Sequence, residues 1–485
     1  MNTEKLTLPG LSDDENATLN RLLDELNARQ PRNILRASYY DGKRAIKQVG
    51  TVIPPQYYNL GLVLGWSAKA VDGLARRCNH DRMVWADGDL GSLGMDELAE
   101  ANNLKTELNG AILASLQHGP AFLINTEGDA SIGEPSSLIH VKDALNATGD
   151  WNPRTRRLDN LLSIIARDDK GNVTAFALYL PNMTISAEKD SSGWQIDRAE
   201  HSWGVPAEVF PYKPLPRRPF GASRISRPIM SLHDQGLRTV IRMEGHMDVY
   251  SFPQLWLMGA DGALFKNADG SQKAAWQMML GRIFGVPDNE DPNATHQRAD
   301  IKQIDAASPE PHLAHLNALA KQFAREASLP DTSVAITDMA NPTSAEAYDA
   351  SQHELIAEAE GATDDWTPAL RRSVVRGLAI QNGLTEVPRD WRTITPKWRN
   401  PRFISSAAQA DAGQKLIASV PWLAETEVGL EKLGLTEQEI KRAMADRRRN
   451  AGRQALRDIT ARAQATQTPD QAPVQVSDDD ADVSA

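Results

Sequence analysis

Three stretches bring chemically versatile residues close together. His353-Glu354-Leu355-Ile356-Ala357 starts like a zinc-hydrolase helix, in which two histidines four apart hold the metal and the glutamate activates water. Ala357 stands where the second histidine is needed, so the ligand set is incomplete. Gly42-Lys43 offers the glycine and lysine of a phosphate cradle, but Arg44 follows where a hydroxyl must reach magnesium. Asp288-Asn289-Glu290-Asp291-Pro292-Asn293 gathers oxygen ligands, yet lacks the glycine at the sixth position and the terminal glutamate of a calcium loop. No Gly-x-Ser-x-Gly occurs, and no carboxylate pair is singled out by spacing. The lone cysteine, Cys78, rules out an internal disulfide and a cysteine-built metal site, and suits a reducing compartment. These residues indicate no enzyme, no metal and no cofactor.

The elements that would carry any function are those of an ordinary acidic chain. It has 485 residues, 41% of them apolar, and a net charge of −11. That is enough length for two to four domains or one elaborated one. The charge lacks the basic footprint of a protein that grips nucleic acid. The start, MNTEKLTLPGLSDDENATLN, is polar and acidic, unlike a signal peptide. No window reaches the ~18 apolar residues of a membrane span.

The segment 308–360 organises the rest. Leu313, Leu316, Leu319, Ala320 and Phe323 make one apolar stripe of a helix that starts near Pro309 and Pro311 and is expected to end at Pro330. A second helix is expected from Thr343, where Thr343 and Glu346 form a capping box. It bends near Gly361 and stops at Asn382-Gly383. Between the two lie residues 331–341, small and polar, without lysine or arginine.

Elsewhere, helices are expected over 11–29, 59–75, 95–118, 227–249 and 405–417, with a basic one closing the chain. His118 is read as a surface or capping histidine. Residues 121–212 read as one antiparallel meander, with hairpin turns at Asp169–Asn172 and Asp190–Gly193. Pro211–Phe220 is a proline-dense linker. Gln254–Gly259 reads as an apolar strand, and residues 466–485 as a disordered acidic tail.

Asn341-Pro342-Thr343-Ser344-Ala345-Glu346-Ala347 resembles the Asn-x-Ser/Thr-(Gly/Ser)-x-(Glu/Ala)-Ala signature of siphophage-type portal proteins of tailed bacteriophages. Tyr39-Tyr40-Asp41-Gly42 is similar to a phrase near their N-terminus, and is equally a helix end with a turn. Trp398-Arg399-Asn400-Pro401 and Thr436-x-x-Glu439-Ile440 match further family phrases. The resemblance spans roughly 30–460.

It implies an α+β portal fold: a wing of helices plus antiparallel sheet, a helical stem, a small α/β clip and a helical crown, forming rings. The N-terminal region and wing would cover 1–222, the first stem helix 223–253 and the clip 254–308. The second stem helix would cover 309–330, the tunnel loop 331–342 and the long kinked helix 343–383. A return to the wing (384–430), a crown (431–465) and the tail (466–485) would follow.

Function would be that of a ring, usually of twelve subunits, at one capsid vertex of the virion, assembled in the host bacterial cytoplasm. Its implied partners are double-stranded DNA in the channel, the terminase large subunit, the major capsid protein and scaffold, and a head-completion adaptor, with no membrane. Thr332, Ser333, Thr337 and Asn341 would line the channel. Phosphate neutralisation holds DNA tightly through counterion release, so a loop without cations lets DNA slide. Arg447, Arg448, Arg449 and Arg453 would form a basic crown face that meets DNA or a neighbour's acidic residues, or else a solvated surface. The alternative is a non-pore capsid-associated or scaffold-like protein, or a cytosolic enzyme without a recognisable motif.

Overall fold

The computed structural model describes residues 5–43, 61–250, 254–258, 271, 293, 300–304, 307–334 and 350–465. The chain divides after Pro401 into two compact units. The first runs through α1 (Asp13–Tyr40), α2 (Trp66–Ala75), β1 (His80–Val84), α3 (Met95–Ala101), α4 (Leu104–His118), β2 (Pro120–Glu127) and β3 (Ser137–Asp143). Then come β4 (Ala147–Asn152), β5 (Arg157–Arg167), β6 (Val173–Leu180), β7 (Met183–Asp190), β8 (Gly193–Glu200) and β9 (Ala207–Pro211). It continues with α5 (Arg227–Tyr250), β10 (Gln254–Met258), β11 (Asp300–Ile304), α6 (Glu310–Glu326), α7 (His353–Gln381) and β12 (Thr395–Trp398). The second unit holds α8 (Ser406–Ser419), α9 (Glu427–Lys432) and α10 (Glu437–Ala465).

Local signals start α1. Ser12 Oγ accepts from Glu15 N, and Glu15 Oε2 accepts from Ser12 N at 2.7 Å, closing a capping box. Leu19, Leu22 and Leu26 recur at helical spacing and are buried against Leu162, Ile164, Phe176, Leu178, Ile185 and Ala187. These lie on one face of the five-stranded antiparallel sheet β4-β5-β6-β7-β8. Leu161, Ala177 and Tyr179 point the other way, onto Phe122, Ile124, Ala207 and Val209. Both faces are covered, which explains why β6 is apolar without alternation from Ala175 to Leu180.

The expected hairpin turns are present. Asp168 Oδ1 accepts from the backbone of Lys170 and Asn172, and Asp190 Oδ1 from that of Ser192 and Gly193. The single meander is corrected. A separate three-stranded sheet, β3-β2-β9, takes the first two strands and the last. β9 escapes sequence reading because it is five residues long and ends in proline. β4 escapes it because it is polar and carries Gly149, where a Cβ would stand 2.4 Å from Asn160 O.

The helix expected over 95–118 is two helices. Asn103 sits between them at φ +46°, the left-handed region that asparagine tolerates. The break frees Asn102, which is buried: its Nδ2 donates to Ser137 O, and its Oδ1 accepts from Ile139 N at 2.7 Å. His118 is also corrected. It is buried, and burial foremost holds its imidazole down to about 4, with Arg36 and Arg32 adding to that. Trp366, fully buried, stacks on Phe210 at 5.1 Å and donates to Ser115 Oγ at 3.1 Å.

Helix α7 runs as one element through Gly361, near which a bend is expected, and through Pro368. The carbonyl that Pro368 leaves without a donor belongs to exposed Asp364. Burial of Trp366, Ala369 and Leu370 carries the helix across. Its end agrees with expectation: Gly383 lies at φ +66°, and Leu384 N donates to Ala379 O in a Schellman cap. The start expected at Thr343 and Glu346 lies outside the described residues.

In the second unit each helix is capped from its own sequence: Ser405 Oγ accepts from Ala408 N, Thr426 Oγ1 from Gly429 N, and Thr436 with Glu439 forms a capping box. Glycine is required at position 413, because a Cβ there would lie 2.4 Å from Lys432 O.

Candidate channel loop and the junction behind it

The loop is reached through a helix pair. α5 buries Ile229, Leu232, Leu237 and Ile241, and α6 buries Leu316, Leu319, Ala320, Phe323 and Ala324. At the base of the pair, Gly236 admits the Trp66 ring, which a Cβ would meet at 2.7 Å, and Trp66 in turn lies 5.3 Å from the Phe323 ring. At the far end the packing thins: Met247 is 41% exposed and Leu313 38%. There His246 and His312 meet edge to face at 5.0 Å, and His246 Nε2 lies 3.1 Å from Ala307 O.

The end of α6 sets the direction of the loop. The helix stops at Glu326, four residues before Pro330. Ser328 adopts φ +48°, Leu329 N donates to Ala324 O at 2.8 Å, and Ser328 N to Arg325 O at 3.2 Å. This is a Schellman cap with serine in the place glycine usually takes, so it left no sequence signal. Leu329 is buried, and Gly73 of α2 makes room for it. Pro330 then leads into the short turn Asp331–Ser333. Asp331 and Thr332 are exposed, while Ser333 and Val334 are half-buried. Thr337 and Asn341 lie outside the described residues.

Behind the loop, Arg224 joins four parts of the fold. Its Nε donates to Ala70 O of α2 at 2.6 Å, and Nη2 donates to Ala327 O at the end of α6. Nη1 donates to Tyr212 Oη at 3.1 Å and stands 2.5 Å from Glu358 of α7. Glu358 also accepts from Tyr212 Oη and Lys213 Nζ. Burial works to raise the Glu358 pKa, but the Arg224 charge and the donated hydrogen bonds outweigh it and hold the carboxyl down to about 2. Burial foremost pushes the Tyr212 phenol up, keeping it a donor. A second buried pair fixes α7 farther along: Glu208 takes Arg376 at 2.5 Å and Arg372 at 2.7 Å, and Arg376 also donates to Asn125 Oδ1. Sequence reasoning missed both clusters, because their members lie far apart in the chain.

Cys78 is buried and its thiol is pushed up to about 12 by burial, so it is a packing residue. Among the described residues no group of three metal-ligating side chains exists, and no helix is long and apolar enough to cross a membrane. The stretch 288–292 lies outside the described residues. Arg447, Arg448, Arg449 and Arg453 all lie on α10. Arg449 and Arg453, four apart, share one side of it, while Arg447 and Arg448 fall on others, because successive residues of a helix step about 100° around it. Arg447 Nη2 pairs with Glu425 at 2.7 Å, and Arg449 pairs with Asp446. Arg448 and Arg453 are exposed, with no ion pair among the described residues.

The family described as "Phage portal protein, SPP1 Gp6-like" matches residues 19–453. The chain belongs to this portal family. Its function is that of a phage portal protein, and the family is structural. The portal proteins of Mycobacterium phages L5 and D29 are each 26% identical, over 390 and 392 residues, covering 78% of this chain and 77% of theirs. Among solved structures, a chain of the virion of the native gene transfer agent particle has 14% identity and a TM-score of 0.40, covering 80% of this chain and 89% of that one. A chain from the neck of the native particle, computed with C12 symmetry, has 14% identity and a TM-score of 0.40, covering 76% and 89%.

Proposed function

We propose that copies of this portal protein close into a ring of twelve at one capsid vertex, and that double-stranded DNA passes along its axis during packaging and ejection. The observation that carries this reading is the family match over residues 19–453. The thinly packed far end of the α5–α6 pair supports it, since Met247 and Leu313 keep apolar surface for another copy. In this reading α5 and α6 are the stem and 331–342 the tunnel loop. Thr332, Ser333, Thr337 and Asn341 face DNA without holding it. The excursion 254–308 is the clip, where the terminase large subunit docks and a head-completion adaptor later replaces it. The wing meets the major capsid protein and scaffold, and assembly takes place in the host cytoplasm.

Negative-stain images of the purified chain are expected to show rings with a central hole; monomers at every concentration and salt tested would end the reading. Loop variants then address the channel. Changing Thr332, Ser333 and Thr337 to alanine is expected to leave ring formation intact and stability within about 0.5 kcal/mol. Changing the same three to arginine adds phosphate contacts and should stall packaging, most at low salt. Translocation at the wild-type rate across salt concentrations would remove 331–342 from the DNA path.

A further inference from the structure

A recess of about 620 Å³ opens beside the Arg224 junction, between α1, the start of β2 and the linker from Tyr212 to Arg227. Its walls carry eight arginine and lysine side chains against two glutamates. Some of the cations are matched: Arg224 and Lys213 meet Glu358, and Arg29 meets Glu25 and lies over the Phe220 ring at 5.4 Å. Five are not. Arg32, Arg217, Arg218 and Arg227 make no side-chain hydrogen bond or ion pair among the described residues. Arg36 donates Nη1 to His118 O at 2.8 Å, but its Nε is buried without a partner. Arg29, Arg32 and Arg36 stand three and four apart, so they share one side of α1. Burial and then the neighbouring Arg32 hold the Arg36 guanidinium down to about 10, a sign of uncompensated positive charge.

We infer that this recess receives carboxylate side chains from the adjacent copy of the chain, and that it is one half of the contact between neighbours. The inference rests on the ring reading above. A ring is built from head-to-tail contacts, in which one surface of a subunit meets a different surface of the next. Such a contact needs complementary patches, and the chain carries both signs: its net charge is −11 although this recess is strongly basic. Carboxylates suit the donors, since guanidinium forks bind them in pairs. Glu358 already fills the inner end of the recess in this way. The recess has the volume of a pocket for a few side chains. A DNA duplex would touch only its rim.

Native mass measurement across a salt series tests this with full-length chain. Arg32→Gln, Arg217→Gln and Arg218→Gln together are expected to lower the salt concentration at which rings dissociate by about half. The corresponding glutamate triple should remain monomeric. All three side chains are exposed, so the monomer's thermal midpoint should stay near wild type, which separates lost contact from lost folding. A photo-crosslinker at position 218 in wild-type rings should join two copies through a peptide containing Asp or Glu. Rings of unchanged salt resistance in both triples, or crosslinks confined to one copy, overturn the inference and leave the ring reading standing. Triples that form wild-type rings but lose binding of a short DNA duplex would reassign the recess to phosphate. A wild-type chain that never forms rings overturns both readings.

Discussion

In the first unit Arg224 and Arg376 are each 6% exposed and each meets a carboxylate, whereas in the second Arg448 and Arg453 stand in solvent on α10. Composition counts these residues alike, and their surroundings separate them. Removing a guanidinium from water is so unfavourable that a buried one must be paired and hydrogen-bonded. Once paired, it fixes the position of whatever its partners belong to, here α2, α6, α7 and the residue after β9. An exposed one adds charge and little stability.

Breaking the buried pair should have the largest effect. Glu358→Gln or Arg224→Met each leaves its partner buried and uncompensated, with an expected loss of about 3–5 kcal/mol in denaturant unfolding. The double variant should lose less than the two singles added together. Single losses below about 1 kcal/mol would mean the junction does not hold the helices.

Acid sharpens the same contrast. The folded Glu358 carboxyl lies at about 2, below its ordinary 4.5, so its contribution is complete above 4.5 and fades as pH falls towards 2. The stability gap between wild type and Glu358→Gln should therefore close across that window. His118, held down to about 4 by burial, adds a loss that begins as pH falls below 6.5.

One glycine in each unit gives a smaller effect of opposite sign. Gly236→Ala must displace the Trp66 ring and should destabilise by about 1–3 kcal/mol. Gly452 of α10 faces open space, and Gly452→Ala should stabilise by about 0.5–1 kcal/mol, read as a thermal midpoint. The smallest effect belongs to Arg448→Gln and Arg453→Gln, each expected within about 0.5 kcal/mol of wild type. A larger loss in the isolated chain would show that α10 is not a solvated helix.

Signals confined to one turn or one stripe were legible. The α7 stop at Asn382-Gly383 and the two aspartate-led hairpin turns need only neighbouring residues to act; so does the Thr436–Glu439 cap, which was read from sequence only as a family phrase. The stripes of α5 and α6 were legible because burial repeats at helical spacing. Legibility failed where a distant group overrode local preference. Asn103 breaks a helix so that Asn102 can hold β3, and Trp366 packing carries α7 through Pro368. Ser328 takes a glycine's conformation, with Leu329 buried beside Gly73. Of the loop residues read from sequence, Thr332 and Ser333 fall in the turn after α6; nothing in composition pointed to the Arg224–Glu358 junction that anchors it.

The sequence by itself determined the family, the α+β class, the helix pair and a loop free of lysine and arginine. These depend on short phrases, periodicity and composition, all written along the chain. Only the tertiary structure decided that residues 121–212 form two sheets, that His118 is buried, and that Arg224 meets Glu358 across 134 positions of sequence while Arg448 meets solvent. Pairing of this kind is set by which elements exclude water from each other. That is a property of packed surfaces and not of any one segment.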